Sequence, residues 1–276
     1  MKTKKTLWLI LILVLLQASC TSESVLRTHT RSFIKISRMV EFSVCKKKKK
    51  KKETVEECGN IPMATWGAQG SGSVVAANAL GVFVLSAQHV CADPRDDMTF
   101  MAALTEQLLS DPATERFKIT VVHRATTHEG EIARMEVIAA DQENDTCIAF
   151  APNLKVKPLK RFYGTLNKGE TYYNIAAPHN VFQPGAIPLF SGHYSGDIDK
   201  DRSLFTIPAA GGSSGSPVLD SNGRLVGMIH SVVDGFHHVS FSPRTAVLND
   251  FIDDNIKDYY DKWYKNMLEL TRPKSN

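Results

Sequence analysis

Gly211-Gly-Ser-Ser-Gly-Ser-Pro217 runs directly into Val218-Leu-Asp-Ser-Asn-Gly-Arg-Leu-Val-Gly-Met-Ile-His230, and the residues just past the glycine-serine stretch decide the fold. The first five residues fit Gly-x-Ser-x-Gly, a nucleophile elbow with Ser213 as the reacting group, but such an elbow must open into a helix. Here two β-prone runs flank an Asp220-Ser-Asn-Gly223 turn, which reads as a hairpin. The stretch is therefore a loop between strands, and Ser214 is the candidate nucleophile. A solvated glycine-serine loop is the default for an isolated run of this kind. A serine hydroxyl reacts only with a base beside it and a group that orients the base, so both must be found upstream.

The base candidate is His89. It lies in Gly81-Val-Phe-Val-Leu-Ser-Ala-Gln-His-Val-Cys91, where an apolar run stops at Ser-Ala-Gln-His and leaves an imidazole just past a buried strand's end. The carboxylate candidate is Asp145, in Asp141-Gln-Glu-Asn-Asp-Thr-Cys-Ile-Ala-Phe-Ala151, a polar turn that feeds another buried strand. Asp141 is the runner-up. His123, His128, His179, His193, His230, His237 and His238 compete for the base role, yet none follows a comparable strand end.

The chain order His, Asp, Ser and the three local contexts resemble the trypsin-like (chymotrypsin-fold) serine endopeptidases. The relevant segments are Ser-Ala-Gln-His89, Asn144-Asp-Thr-Cys-Ile-Ala149 and Gly212-Ser-Ser-Gly-Ser-Pro217. Three such segments in order, flanked by strand-like runs, are specific where any one is weak. The resemblance spans about residues 66–252. It implies an all-β fold of two packed six-stranded antiparallel β-barrels with a C-terminal helix. It also implies a catalytic set of His89, Asp145 and Ser214, with the amides of Gly212 and Ser214 as an oxyanion hole. Asn144-Asp145 decides against Asp141. Glycine at 212 has a physical reason, since a β-carbon would restrict the dihedrals that turn that N–H toward the developing charge.

Ser213 departs from the zymogen-activated branch, whose aspartate at that position pairs with a newly cut amino terminus. The nearer resemblance is to bacterial and viral trypsin-like domains, including the catalytic domain of high-temperature-requirement-type proteases, without a PDZ domain: 24 residues follow position 252. By motif, Pro208 falls at the base of the specificity pocket, and His230, Ser231 and Val232 line the cleft. No carboxylate stands at the base to receive Arg or Lys, so small or medium apolar side chains are expected at the cleaved bond. Polypeptide is the expected substrate, bound as an added β-strand. A barrel pair that holds peptides without cutting them is the second reading.

Four segments are expected: a signal peptide at 1–20, a linker with a lysine run at 21–65, the protease domain at 66–252, and a helix and tail at 253–276. Met1-Lys-Thr-Lys-Lys5, the apolar run Thr6 to Leu16 and Gln17-Ala-Ser-Cys20 read as an export signal. Ala18-Ser-Cys20 also resembles a lipobox, so acylation at Cys20 and simple secretion both stay open. Lys46 to Lys52 are seven consecutive lysines, expected to be a solvated, self-repelling spacer. Against an anionic membrane they would supplement a lipid on Cys20.

The whole chain is +4, but residues 1–52 carry 14 Lys or Arg against 2 acids, and residues 53–276 carry 19 against 27. The domain is acidic, which excludes nucleic-acid binding by its surface. His237-His238 has no second ligand cluster, and neighbouring strand residues face opposite ways, so no metal and no cofactor are expected. Of five cysteines, setting aside Cys20 leaves Cys45, Cys58, Cys91 and Cys147. The resemblance implies a partner for Cys91 on the preceding strand, yet Gly70-Ser-Gly-Ser-Val-Val75 has none. A Cys45–Cys58 bridge and free buried thiols both remain open. Strands are expected at Ser73–Ala77, Val82–Ser86, Phe117–His123, Ile132–Ala139, Cys147–Ala151, Thr171–Ala177, Leu204–Ile207, Val218–Leu219, Arg224–Ser231 and His237–Phe241. Helices are expected at Met101–Leu109 and Ala246–Leu270, the second with an apolar face at 248, 251, 252 and 256.

Overall fold

The strand that closes the first barrel comes from the segment expected to be linker. In the computed structural model, which describes residues 30–50, 53–58, 64–93, 95 and 116–271, β1 (Phe33–Lys50) pairs with β3 (Ala64–Ala77) on one side and β5 (Arg116–Thr127) on the other. Phe33, Ile34, Ile36 and Val40 are fully buried. The boundary at residue 66 is thus corrected: apolar residues at 34, 36 and 40 alternate with Lys35, Ser37, Met39 and Glu41, the period of a half-buried strand. The lysine run is corrected with it. Lys46 to Lys50 continue β1 and pair with β2 (Glu53–Cys58), setting Lys46 opposite Glu57, Lys47 opposite Glu56 and Lys50 opposite Glu53.

The remaining strands of the first barrel are β4 (Gly81–Ser86), β6 (Ile132–Asp141) and β7 (Thr146–Pro152). The order β1-β3-β4-β7-β6-β5 returns to β1, so six strands close, with β2 as an outer flap. The second barrel runs β12-β11-β8-β9-β10-β14-β13. Its members are β8 (Thr171–Ile175), β9 (Leu189–Asp197), β10 (Arg202–Phe205), β11 (Ser216–Leu219), β12 (Leu225–Ile229), β13 (Ser231–Val233) and β14 (Phe236–Pro243). Seven strands rather than six form it, nearly closed. The expected hairpin after the glycine-serine loop is β11–β12.

Strand β9 carries no sequence signal because its buried positions are Gly192, Tyr194 and Gly196, and glycine adds nothing to an apolar pattern. A Cβ at 192 would run into the Thr206–Ile207 backbone, which is the close approach that requires glycine there.

Two short connections matter for the site: α1 (Gln88–Cys91) and the 3-10 turn Pro178–Asn180. The long helix α2 (Thr245–Thr271) then ties the barrels together. Its start is held by the second barrel, where the Thr245 hydroxyl donates to the Val226 carbonyl. Further along, Leu248 and Ile252 are buried, Phe251 and Ile256 pack against the same core, and Tyr259 meets Phe83 and Phe150 of the first barrel with centroids 5.2 and 5.5 Å apart. The expected apolar face of this helix is the docked one. The expected helix Met101–Leu109 lies outside the described residues, as does the whole leader through Cys20. Among the described residues no helix is long and apolar enough to cross a membrane.

Candidate active site

His89 sits in α1, directly after β4 ends at Ser86, and Asp145 sits in the turn entering β7. Because β4 and β7 pair from Gly81↔Pro152 to Ser86↔Cys147, their ends bring the imidazole and carboxylate to one edge of the barrel. The His89 Nδ1 lies 2.8 Å from Asp145 Oδ2 and 3.1 Å from Oδ1, and the His89 backbone N–H donates to Oδ1 at 3.0 Å. With Nδ1 facing a carboxylate, the proton belongs on Nδ1, and Nε2 is left as an acceptor toward the cleft. Asp145 has φ of 48°, a left-handed conformation that aspartate tolerates better than most residues. Burial pushes its carboxyl up, but the hydrogen bonds from the His89 ring and amide and the charges of His89 and His230 outweigh that. It is held below the usual carboxylate range.

Three further features fix this side. Arg38, from β1, donates from Nη1 to the carbonyls of His89 and Ala92 at 3.3 and 2.5 Å, which satisfies carbonyls at the exit of α1. A disulfide joins Cys91 to Cys147, two residues beyond His89 and two beyond Asp145. That shared offset of two from a pair already expected to touch is the sequence signal for this bridge. The connectivity that the sequence left open is thus resolved for Cys91, whose partner lies on β7 and not on the preceding strand. Cys45 is also disulfide-bonded and stands opposite Cys58 in the β1–β2 register. His230 is the third: its side chain is 10% exposed and its Nδ1 lies 3.9 Å from Asp145 Oδ2 and 2.9 Å from the Ser231 hydroxyl. Burial holds the His230 imidazole below its ordinary value, against the pull of Asp145.

The nucleophile side belongs to the loop 210–216. Ser213 is 1% exposed and its Oγ accepts the Ala210 amide, so this hydroxyl faces inward. Ser214 is half-buried beside it. Every carbonyl from 210 to 214 is occupied: Ala210 by the Ser213 amide, Gly211 by the His179 amide at 2.6 Å, Gly212 by the Ser71 hydroxyl at 2.8 Å, Ser213 by the Ser216 amide and Ser214 by the Ser71 amide at 2.8 Å. The amides of Ser213, Gly215 and Ser216 are likewise used. Among the described residues this leaves three N–H groups of the loop without a protein acceptor, that of the exposed Gly211 and, further in, those of Gly212 and Ser214, the latter pair on half-buried residues. In a trans peptide the N–H opposes the carbonyl, so anchoring the Gly211 and Ser213 carbonyls in the protein turns those two amides the other way. Gly212 has φ of +94°, and a Cβ there would meet the Ala177 carbonyl oxygen at 2.5 Å.

The two sides meet through backbone: a Cβ on Gly215 would fall onto the Ser71 carbonyl oxygen and lie 3.0 Å from the Ala87 amide. The contact between His89 Nε2 and the Ser214 hydroxyl is not closed into a hydrogen bond among the described residues. Of the expected substrate-contact residues, Pro208 is half-buried between Ile207 and Ala209, Ser231 is exposed and Val232 packs against the second-barrel core. The latter two belong to β13, the last strand of its sheet. His230 turns toward Asp145 rather than lying open along the cleft.

Comparison with known proteins agrees with this geometry. The family described as "Trypsin-like peptidase domain" matches residues 70–228, more than half of the chain, taking in His89, Asp145 and Ser214 but not β1. No curated protein matches. The solved serine endoprotease from Yersinia pestis matches with a TM-score of 0.57 and 13% identity, covering 86% of this chain. The chain spans 66% of that structure's length, just under two thirds, and the likeness is one of fold. Residues 33–45, outside the family match, are nonetheless part of the barrel that carries His89. The chain belongs to the trypsin-like serine peptidases.

Proposed function

We propose that the chain is an exported serine endopeptidase in which Ser214 is the nucleophile, His89 the general base and Asp145 the group that fixes the imidazole. The reading is carried by one observation above all: the loop satisfies its carbonyls from 210 to 214 and leaves the Gly212 and Ser214 amides, the two needed to hold an oxyanion, without a protein acceptor. The Ser214 Oγ attacks the peptide carbonyl and its proton passes to His89 Nε2, while the imidazolium that forms is stabilised by Asp145 at 2.8 Å. The negative oxygen is received by the Gly212 and Ser214 N–H groups. Collapse breaks the C–N bond, the proton on Nε2 goes to the leaving amine, and water then hydrolyses the acyl-enzyme by the same route. Rotation of the Ser214 side chain on substrate binding closes the hydroxyl onto His89, as catalytic hydrogen bonds often do only in the complex.

The open edge of β13 receives the substrate as an added strand, with Ser231 and Val232 beside it and Pro208 near the bound side chain. Small or medium apolar residues are preferred at the cleaved bond. Export rests on the leader, and lipid on Cys20 would tether the enzyme to a membrane.

A fluorophosphonate probe tests the reading. Labelling is expected for the wild type and for Ser213→Ala, and is expected to vanish in Ser214→Ala and His89→Ala while their circular dichroism stays native. The unclosed His89–Ser214 contact favours the second reading, a peptide-holding barrel pair. Folded wild-type protein that takes no label and still binds extended peptide would establish that reading instead.

A further inference from the structure

The nucleophile loop is braced from the opposite barrel by one hydroxyl. Ser71 is fully buried on β3, yet its polar groups serve the cleft. Its Oγ donates to the Gly212 carbonyl at 2.8 Å and accepts the Ala177 amide at 3.1 Å, and its N–H donates to the Ser214 carbonyl at 2.8 Å. Its own carbonyl accepts the Ser86 hydroxyl at 2.8 Å. A serine hydroxyl has a single proton. Ala177 presents a donor, so the Ser71 proton can go only to Gly212.

We infer that the Ser71 hydroxyl is a positioning residue for the oxyanion hole, holding the Gly212 carbonyl inward so that the neighbouring amides stay aimed at the reacting carbonyl. The inference rests on the reading of Gly212 and Ser214 as the hole. Among the carbonyls of 210–213 only that of Gly211 has another partner outside the loop, the His179 amide, and that anchor depends on the Ala177–His179 segment that Ser71 also holds; the Ser71 amide on the Ser214 carbonyl is backbone and survives the loss of the hydroxyl. Removing the hydroxyl strands a carbonyl and an amide in a dry place at once: Ala177 is 2% exposed. Buried groups without partners are costly. Turning the Gly212–Ser213 peptide so that its oxygen finds another donor becomes the cheaper state, and glycine at 212 lets the backbone do so.

The test uses Ser71→Ala in the full chain, with active sites counted by fluorophosphonate labelling so that misfolded protein is not scored as slow enzyme. The expected kcat per labelled site falls roughly 10- to 100-fold, less than the ~100- to 1,000-fold loss on deleting an oxyanion donor outright. KM should stay within about twofold, and the Ki of a peptide aldehyde, which forms the oxyanion, should rise by the same factor as kcat falls. Ser86→Ala removes an equally buried hydroxyl that touches only the Ser71 carbonyl. It should lose stability while keeping kcat per labelled site within about twofold. If Ser71→Ala does not fold, Ser71→Cys keeps a donor in place, weaker and slightly larger, and an intermediate kcat with unchanged KM is expected. A labelled Ser71 variant with wild-type kcat per site and wild-type aldehyde affinity overturns the inference alone. An unlabelled wild type overturns the protease reading beneath it.

Discussion

On the first-barrel side of the cleft the proposed base and its carboxylate are side chains, and they are held by side chains. His89 is 49% exposed and Asp145 25%, and their geometry comes from a mutual hydrogen bond, the Arg38 guanidinium and the Cys91–Cys147 disulfide. On the second-barrel side the two amides of the proposed oxyanion hole, beside the Ser214 hydroxyl, are held by backbone: occupied carbonyls, positive-φ glycines and close approaches that admit no Cβ. The base has to change protonation and meet substrate, so exposure serves it. The oxyanion donors must not reorganise during the reaction, and a fully bonded backbone is the stiffest way to aim them.

Four measurements put that contrast at risk, beginning with the largest effect. Asp145→Asn leaves a side chain suited to the left-handed conformation at 145 and an oxygen for the His89 amide. The protein should fold, while kcat drops on the order of 10⁴-fold as the imidazole loses its required tautomer. A kcat within tenfold of wild type would mean that Asp145 does not orient the base.

Cys91→Ala/Cys147→Ala comes next. Opening a bridge between residues 56 apart costs about 4 kcal/mol in the chain-entropy treatment, read as a lower urea midpoint. Activity per labelled site should fall too, since the bridge spans the loops that carry base and acid. A lower midpoint with unaltered kcat would show that the hydrogen bonds hold the pair unaided.

Gly215→Ala tests the other side. With φ at +88° and a Cβ directed at the Ser71 carbonyl oxygen, it should cost roughly 3 kcal/mol or more, and no side-chain repacking can relieve it. A midpoint near that of the wild type would show the loop to be softer than the bonding pattern implies.

The mildest effect concerns pH. His230 and Asp145 both sit below their ordinary values in the folded chain. The unfolded chain therefore binds more protons than the folded one, and stability present at neutral pH is lost on acidification. His230 acts first, below its ordinary 6.5, and Asp145 only below 3.8. Around His230 stand Asp145, which favours its charged form, and His89 and Arg202, which oppose it. In urea melts at about pH 7.5 and 5, on either side of the ordinary histidine range, His230→Gln should lose less stability on acidification than the wild type. An equal loss would assign the effect elsewhere.

The contrast between the sides also governs how much the chain reveals before it folds. The motifs around His89, Asp145 and Ser214 stand out because strand ends and a glycine-serine loop have distinctive local composition. Strand β1 carries an even-numbered alternation through Ile34, Ile36 and Val40. Arg38 interrupts that alternation because it is buried for its hydrogen bonds to α1. The lysine run then draws the segment toward a linker reading, since its pairing with β2 is not visible in composition. Strand β9 is invisible because glycines fill two of its three buried positions. Motif alone places His230 along the cleft, and its turn toward Asp145 depends on packing between strands.

Local pattern and short-range turn chemistry suffice for the fold class and for the hairpin that rules out a strand-to-helix elbow, and they single out His89, Asp145 and Ser214 as candidates. The folded molecule was needed to learn that residues 33–45 close the barrel, that Cys91 pairs with Cys147, and that Ser71 reaches across to the nucleophile loop. Each of these is a contact between segments far apart in the chain, and which buried donor meets which acceptor is settled only when the two barrels pack.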